Sequence, residues 1–113
     1  MGWNAPDVYY QPEEFGLTPV SEIDFSSGSY EFDLRVVWKH QDTGQLYTAR
    51  DAGCSCPSPF EDYTSLGALD PLDLSALRAE LNDAMRPGSY SRENVHPSRV
   101  TTFLREVLAA MTH

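Results

Sequence analysis

The sequence predicts one α+β domain, a small antiparallel hairpin-based sheet with two C-terminal helices packed on one face. Three observations predict it. Residues 30–40 alternate apolar and polar side chains with the period of a half-buried strand. Gln41-Asp42-Thr43-Gly44 then offers a four-residue hairpin loop into a second strand-like run. All helical periodicity lies after residue 70, so strands come first and helices last.

Length and composition fit that class. The chain has 113 residues, 41% hydrophobic and 12% aromatic, enough for one modest core and too apolar for wholesale disorder. No apolar run approaches the roughly 18 residues that cross a bilayer. The opening MGWNAPDVYYQPEE lacks the basic and apolar regions of a signal peptide, so a cytoplasmic setting is expected. Cys54 and Cys56 are one residue apart, where a mutual disulfide would be strained, and reduced thiols follow.

Taken in order, residues 1–19 read as an irregular aromatic segment broken by Pro6, Pro12, Gly16 and Pro19, with residues 20–113 as the domain proper. Residues 20–25 form a first strand and Ser26-Ser27-Gly28-Ser29 a turn. Tyr30, Phe32, Leu34, Val36 and Trp38 then share one strand face, against Glu31, Asp33, Arg35, Val37 and Lys39 on the other. The apolar face is expected to receive the helices and the charged one to stay wet. With His40 opposite Gln45, Trp38 meets Tyr47 and Val36 meets Ala49. A slip of one residue would put Thr48 and Arg50 on that face instead.

Downstream, Asp70-Pro71 reads as a helix start, Leu74, Leu77, Leu81 and Met85 as its apolar face, and Pro87-Gly88 as its end. Residues 89–97 read as a polar connection. Ser98 is the expected cap of a last helix whose Val100, Phe103, Leu104, Val107, Leu108 and Met111 form one apolar stripe.

Charge narrows the partners. The formal balance is −9, and residues 1–33 hold seven acids with no Lys or Arg. Such a field repels nucleic-acid backbone and anionic membrane, so direct binding to either is not expected, and it favours a basic protein surface. The plainer reading of the same acids is solubility.

The chemistry-bearing residues gather around the loop 51–63. Cys54 and Cys56 with His40 and His96 have the ligand types of a zinc site, but neither the usual C-x₂-C spacing nor a paired histidine spacing. Two small side chains in a proline-braced loop explain the cysteines as well. A thiol nucleophile built from Asp51, a cysteine and a histidine lacks any visible cause for a lowered thiol pKa. Asp51, Glu61 and Asp62 could bind a divalent cation, yet one lysine and seven arginines are few for holding a phosphate substrate. The acids could also mimic nucleic-acid phosphates. Finally, Trp3, Tyr9, Tyr10, Phe15, Phe60 and Tyr63 stand on stiff irregular segments, either as interface anchors or as cover for the core.

The run RDAGCSCPSPFEDY at residues 50–63, after VVWKHQDTGQLYTA, resembles small proteins encoded by bacteriophages of actinobacteria. In that family of unknown function, a Trp-bearing strand, a short turn and a second strand lead into a GCSCP-type loop. The resemblance covers about residues 30–70 and, more loosely, the helices. It implies a phage accessory protein in the host bacterial cytoplasm and transfers no catalytic residue.

The expectation is therefore a non-enzymatic protein, without a cofactor, that binds another protein and inhibits a host or defence factor. The expected partner surface comprises Trp3, Tyr9, Tyr10, Glu13, Glu14, Phe60, Glu61, Asp62 and Tyr63. The alternatives are a zinc-stabilised or metal-dependent module using Cys54, Cys56 and His40 or His96, and a structural or assembly component of the virion.

Overall fold

A computed structural model describes residues 6–28, 30–54 and 59–112. Trp3 and Cys56 lie outside the described residues. Four strands, β1 (Leu17–Asp24), β2 (Glu31–His40), β3 (Leu46–Cys54) and β4 (Asp70–Pro71), form one antiparallel sheet in that spatial order. Three helices follow: α1 (Leu74–Ala84), α2 (Tyr90–Asn94) and α3 (Pro97–Met111). The α+β class holds.

The hairpin register is the one the alternation predicts, with Trp38 opposite Tyr47 and Val36 opposite Ala49. The loop closes through His40 N–H to the Gln45 carbonyl at 2.8 Å and Gly44 N–H to the His40 carbonyl at 2.9 Å. Gly44 takes φ +75°, a conformation that side chains with a Cβ resist.

β1 starts at Leu17, three residues before the expected strand, and contains a bulge between Pro19 and Ser21. The extra residue exchanges the faces of the strand. Leu17 therefore packs with Trp38 on one side of the sheet, while Ile23 packs with Val37 on the other.

The helices lie on the opposite face from the one expected. Val37, Ile23, Phe25 and Leu46 meet Leu77, Leu81, Phe103 and Val107 in the helix-side core. The Leu34, Val36 and Trp38 face is instead sealed by irregular chain, with Val8, Phe60 and Leu69 fully or nearly buried against it. The charged face is consequently not wet, because the helices bring partners for it. Glu80 of α1 pairs with Arg35 and with Arg50, which also holds Asp33 at 2.8 Å. Tyr90 Oη of α2 donates to Glu31, and Lys39 Nζ donates to the Ala110 carbonyl of α3 at 3.3 Å. Ionised groups at a half-buried interface need such partners.

Three helix boundaries differ from expectation. Asp70-Pro71 pairs with Tyr47 and Thr48 as β4, an edge position where the missing proline N–H is harmless. Asp73 caps α1 instead, accepting from Ala76 N–H at 3.2 Å. His96, not Ser98, caps α3, its Nδ1 accepting from Ser98 N–H at 3.1 Å, with Pro97 in the first turn. The polar connection contains α2, capped by Ser89, and delivers Val95 to the core.

Candidate functional site

The N-terminal segment and the loop beyond β3 build one layer over the Trp38 face. Asp7 starts it. Its carboxylate accepts from Tyr9 N–H at 2.9 Å and Tyr10 N–H at 2.7 Å, folding the chain into a tight turn. Pro12–Phe15 then makes one turn of 3-10 helix, ended by Gly16 at φ +70°. Gln41 N–H donates to the Gly16 carbonyl at 2.7 Å, tying this segment to the hairpin loop.

The second half of the layer turns on Phe60. It is fully buried at 0% exposure and sits at φ +59°, a left-handed conformation unusual for an aromatic residue. Its N–H donates to Asp51 Oδ2 at 2.7 Å, and its carbonyl accepts from Tyr63 N–H at 3.0 Å. Around its ring stand Tyr9, stacked at 5.3 Å, with Trp38 and Tyr63 edge-on at 5.7 and 5.0 Å. Val8 N–H donates to the Tyr63 carbonyl at 3.0 Å, joining the two halves by backbone. Phe60 is thus core, not the surface anchor that its loop position suggested.

What the layer shows to solvent is acidic and aromatic. Glu13, Glu14, Glu61 and Asp62 are exposed, and Tyr10 is 53% exposed. Tyr9 and Tyr63 are half-buried beneath them. Burial, followed by the nearby Glu22 carboxylate, raises the Tyr9 phenol far above its ordinary range, and its Oη donates to Glu22 at 3.1 Å. Burial, followed by Asp51 and Asp70, raises Tyr63 as well. Both phenols are neutral donors at physiological pH.

The cations are all elsewhere. Arg35, Lys39 and Arg50 point to the helix side of the sheet, where they find Glu80, the Ala110 carbonyl and Asp33. Asp33 holds the Arg50 guanidinium firmly protonated, and the same group lies 4.8 Å from the centre of the Phe25 ring. Arg78, Arg86, Arg92, Arg99 and Arg105 belong to the helical half of the chain. Residues 6–16 and 59–69 contain no Lys or Arg. The loop layer can therefore offer only negative charge, whereas the helix side carries both signs.

Among the described residues the other expected groupings are not assembled, and the part of them that rests on Cys56 lies outside those residues. Cys54 ends β3, exposed and opposite Glu31, while His40 ends β2 at the far side of the hairpin, about 30 Å away at the rise of an extended strand. His96 is occupied in capping α3. Among the described residues no group of three or more His, Cys, Asp or Glu side chains could hold a metal ion. Asp51, Glu61 and Asp62 border a cavity of only about 110 Å³, and Asp51 is committed to the Phe60 amide. A second cavity of about 190 Å³ lies between β4 and α1, below the usual size of a small-molecule pocket. Its Arg35 and Glu80 already pair with each other.

The model of a domain of unknown function, DUF7574, matches residues 6–110. The chain belongs to this family. No match was found among curated proteins, and none among solved structures. The DUF7574 match begins at the segment that carries Asp7 and Val8 and ends within α3. The DUF7574 domain thus takes in both covers of the sheet, the loop layer as well as the helices.

Proposed function

We propose that this DUF7574 protein is a non-enzymatic accessory protein of an actinobacteriophage, acting in the host cytoplasm by binding a basic surface of another protein. The observation that carries this reading is the cation-free loop layer, whose segments expose Glu13, Glu14, Glu61, Asp62 and Tyr10, with the Tyr10 ring edge-on to Tyr9 and Tyr9 stacked on the buried Phe60. Exposed carboxylates steer encounter with a basic partner, and an aromatic side chain on a braced segment slows dissociation. The same charges repel nucleic acid and anionic lipid. The phage origin rests on the resemblance of residues 30–70, and inhibition of a host or defence factor is the role that origin suggests.

The test is capture from an actinobacterial lysate with the wild type and with a Glu13→Gln, Glu14→Gln, Glu61→Gln, Asp62→Asn variant. All four positions are exposed, so stability should change little. A basic protein retained by the wild type and lost from the variant at equal melting temperature is the expected result. Equal retention by both overturns the reading.

A further inference from the structure

The helix side carries a second surface. Helix α3 has two apolar flanks. Phe103 and Val107 are fully buried in the core, whereas Val100, Leu104 and Leu108 are only half-buried. Those three, spaced one turn apart, line an open groove of about 460 Å³ whose other wall is Asn82 of α1. The stripe runs on to Met111, which is 47% exposed. From Val100 to Leu108 it spans about 12 Å of helix axis, the length over which a helix of two to three turns can lie.

The charges beside this groove are distinctive. Arg105 lines it, and Arg78 stands one turn before Asn82 on the same row of α1. Both are exposed, and neither guanidinium group has a hydrogen bond or ion pair among the described residues. The remaining cations are each engaged. Arg35 and Arg50 hold Glu80 and Asp33, and Arg86 holds Asp83 at 2.7 Å. Lys39, Arg92 and Arg99 donate to the carbonyls of Ala110, Met85 and Glu22. Among the described residues no Asp or Glu lines the groove. On a chain of net charge −9, one unengaged guanidinium group thus lines this apolar groove and a second stands one helical turn from its wall.

We propose that the α1–α3 groove docks an amphipathic helix of a partner protein whose apolar stripe is bordered by Asp and Glu. Leucine-like side chains would enter between Val100, Leu104 and Leu108, and carboxylates would meet Arg78 and Arg105, each capable of a bidentate pair. This surface lies across the sheet from the loop layer, so its test is independent of the function proposed above.

The probe is a yeast-displayed library of helices about three turns long, with leucines fixed at helical spacing and randomised flanks, selected on the full chain. Recovered peptides are expected to have acidic flanks. Their dissociation constants, read by fluorescence anisotropy, should rise about tenfold for Arg78→Glu with Arg105→Glu at unchanged melting temperature. A Lys-flanked version of the best peptide should then bind that double variant better than the wild type. Failure to recover any peptide, neutral or basic flanks, or indifference to the arginine changes would overturn the proposal. So would a dimer in sedimentation that Leu104→Ala dissociates, since the groove would then belong to a second copy of this chain.

Discussion

Phe60 combines two opposing effects at one residue. Its left-handed backbone costs roughly 1–2 kcal/mol for a side chain with a Cβ, while its ring joins Tyr9, Trp38 and Tyr63 in the loop-side core. Packing wins, because loss of a buried phenylalanine costs about 3–5 kcal/mol. Phe60→Ala should therefore remove about that much stability in urea unfolding. Phe60→Gly should be less damaging than Phe60→Ala by about 1 kcal/mol, the reverse of the usual order, since glycine relieves the backbone. A glycine variant clearly below the alanine one would contradict the left-handed turn. The sequence could not show this residue's place: prolines bracket an aromatic loop in the same way whether the ring faces in or out. Tyr9 and Tyr63 yield a pH prediction. Both phenols are raised above an ordinary value of about 10 in the folded chain. The folded state then holds protons that the unfolded state releases, so stability is complete below pH 10 or so and falls as pH rises beyond it. Tyr9→Phe and Tyr63→Phe should flatten that alkaline limb in melting curves taken across pH, and should leave the neutral region nearly unchanged.

At the scale of elements, β2 explains both what was legible and what was not. Its alternation gave the strand, the hairpin and the register correctly, because a period of two cannot survive a slip of one residue. The side on which the helices lie was misread. Trp38 and its neighbours looked like the helix-facing set, yet irregular aromatic chain covers them, and the helices go to the charged set. One signal was present: Val37, fully buried, interrupts the charges of its face and belongs to the same core as Leu77 and Leu81 of α1 and Phe103 and Val107 of α3. The ion partners that make that face tolerable, Glu80 above all, are distant in sequence and carry no local pattern. The caps failed for a local reason. Asp70 and Asp73 both suit a helix start, and the proline after Asp70 favoured the wrong one. Similarly, the apolar stripe of α3 was legible as a stripe but not as two flanks. Phe103→Ala should cost about 3–5 kcal/mol, and Leu104→Ala only about 1, because Leu104 faces the open groove. Equal losses in thermal unfolding would show that the groove is closed in solution.

The whole molecule is a slab of 42 × 39 × 18 Å with two unlike broad faces. Either face is large enough for the roughly 800 Å² that each partner contributes to a standard interface. The acidic excess is concentrated on the loop layer, where residues 6–16 and 59–69 carry no cation, while the helix side mixes both signs and pairs Arg35, Arg50 and Arg86 with its own carboxylates. That separation was half-visible in the sequence as an acid-only N-terminal third. The joining of residues 7–10 to residues 60–63 through the Val8–Tyr63 backbone bond was not, since nothing local predicts a contact across fifty residues. The central claim is that this layer receives a basic partner, and association kinetics with the captured protein test it most directly. As added salt shortens the Debye length from about 10 Å to about 3 Å, the wild-type on-rate should fall steeply with little change in off-rate. The variant with Glu13, Glu14, Glu61 and Asp62 neutralised should start slow and barely respond to salt. An on-rate indifferent both to salt and to those four carboxylates would contradict the account.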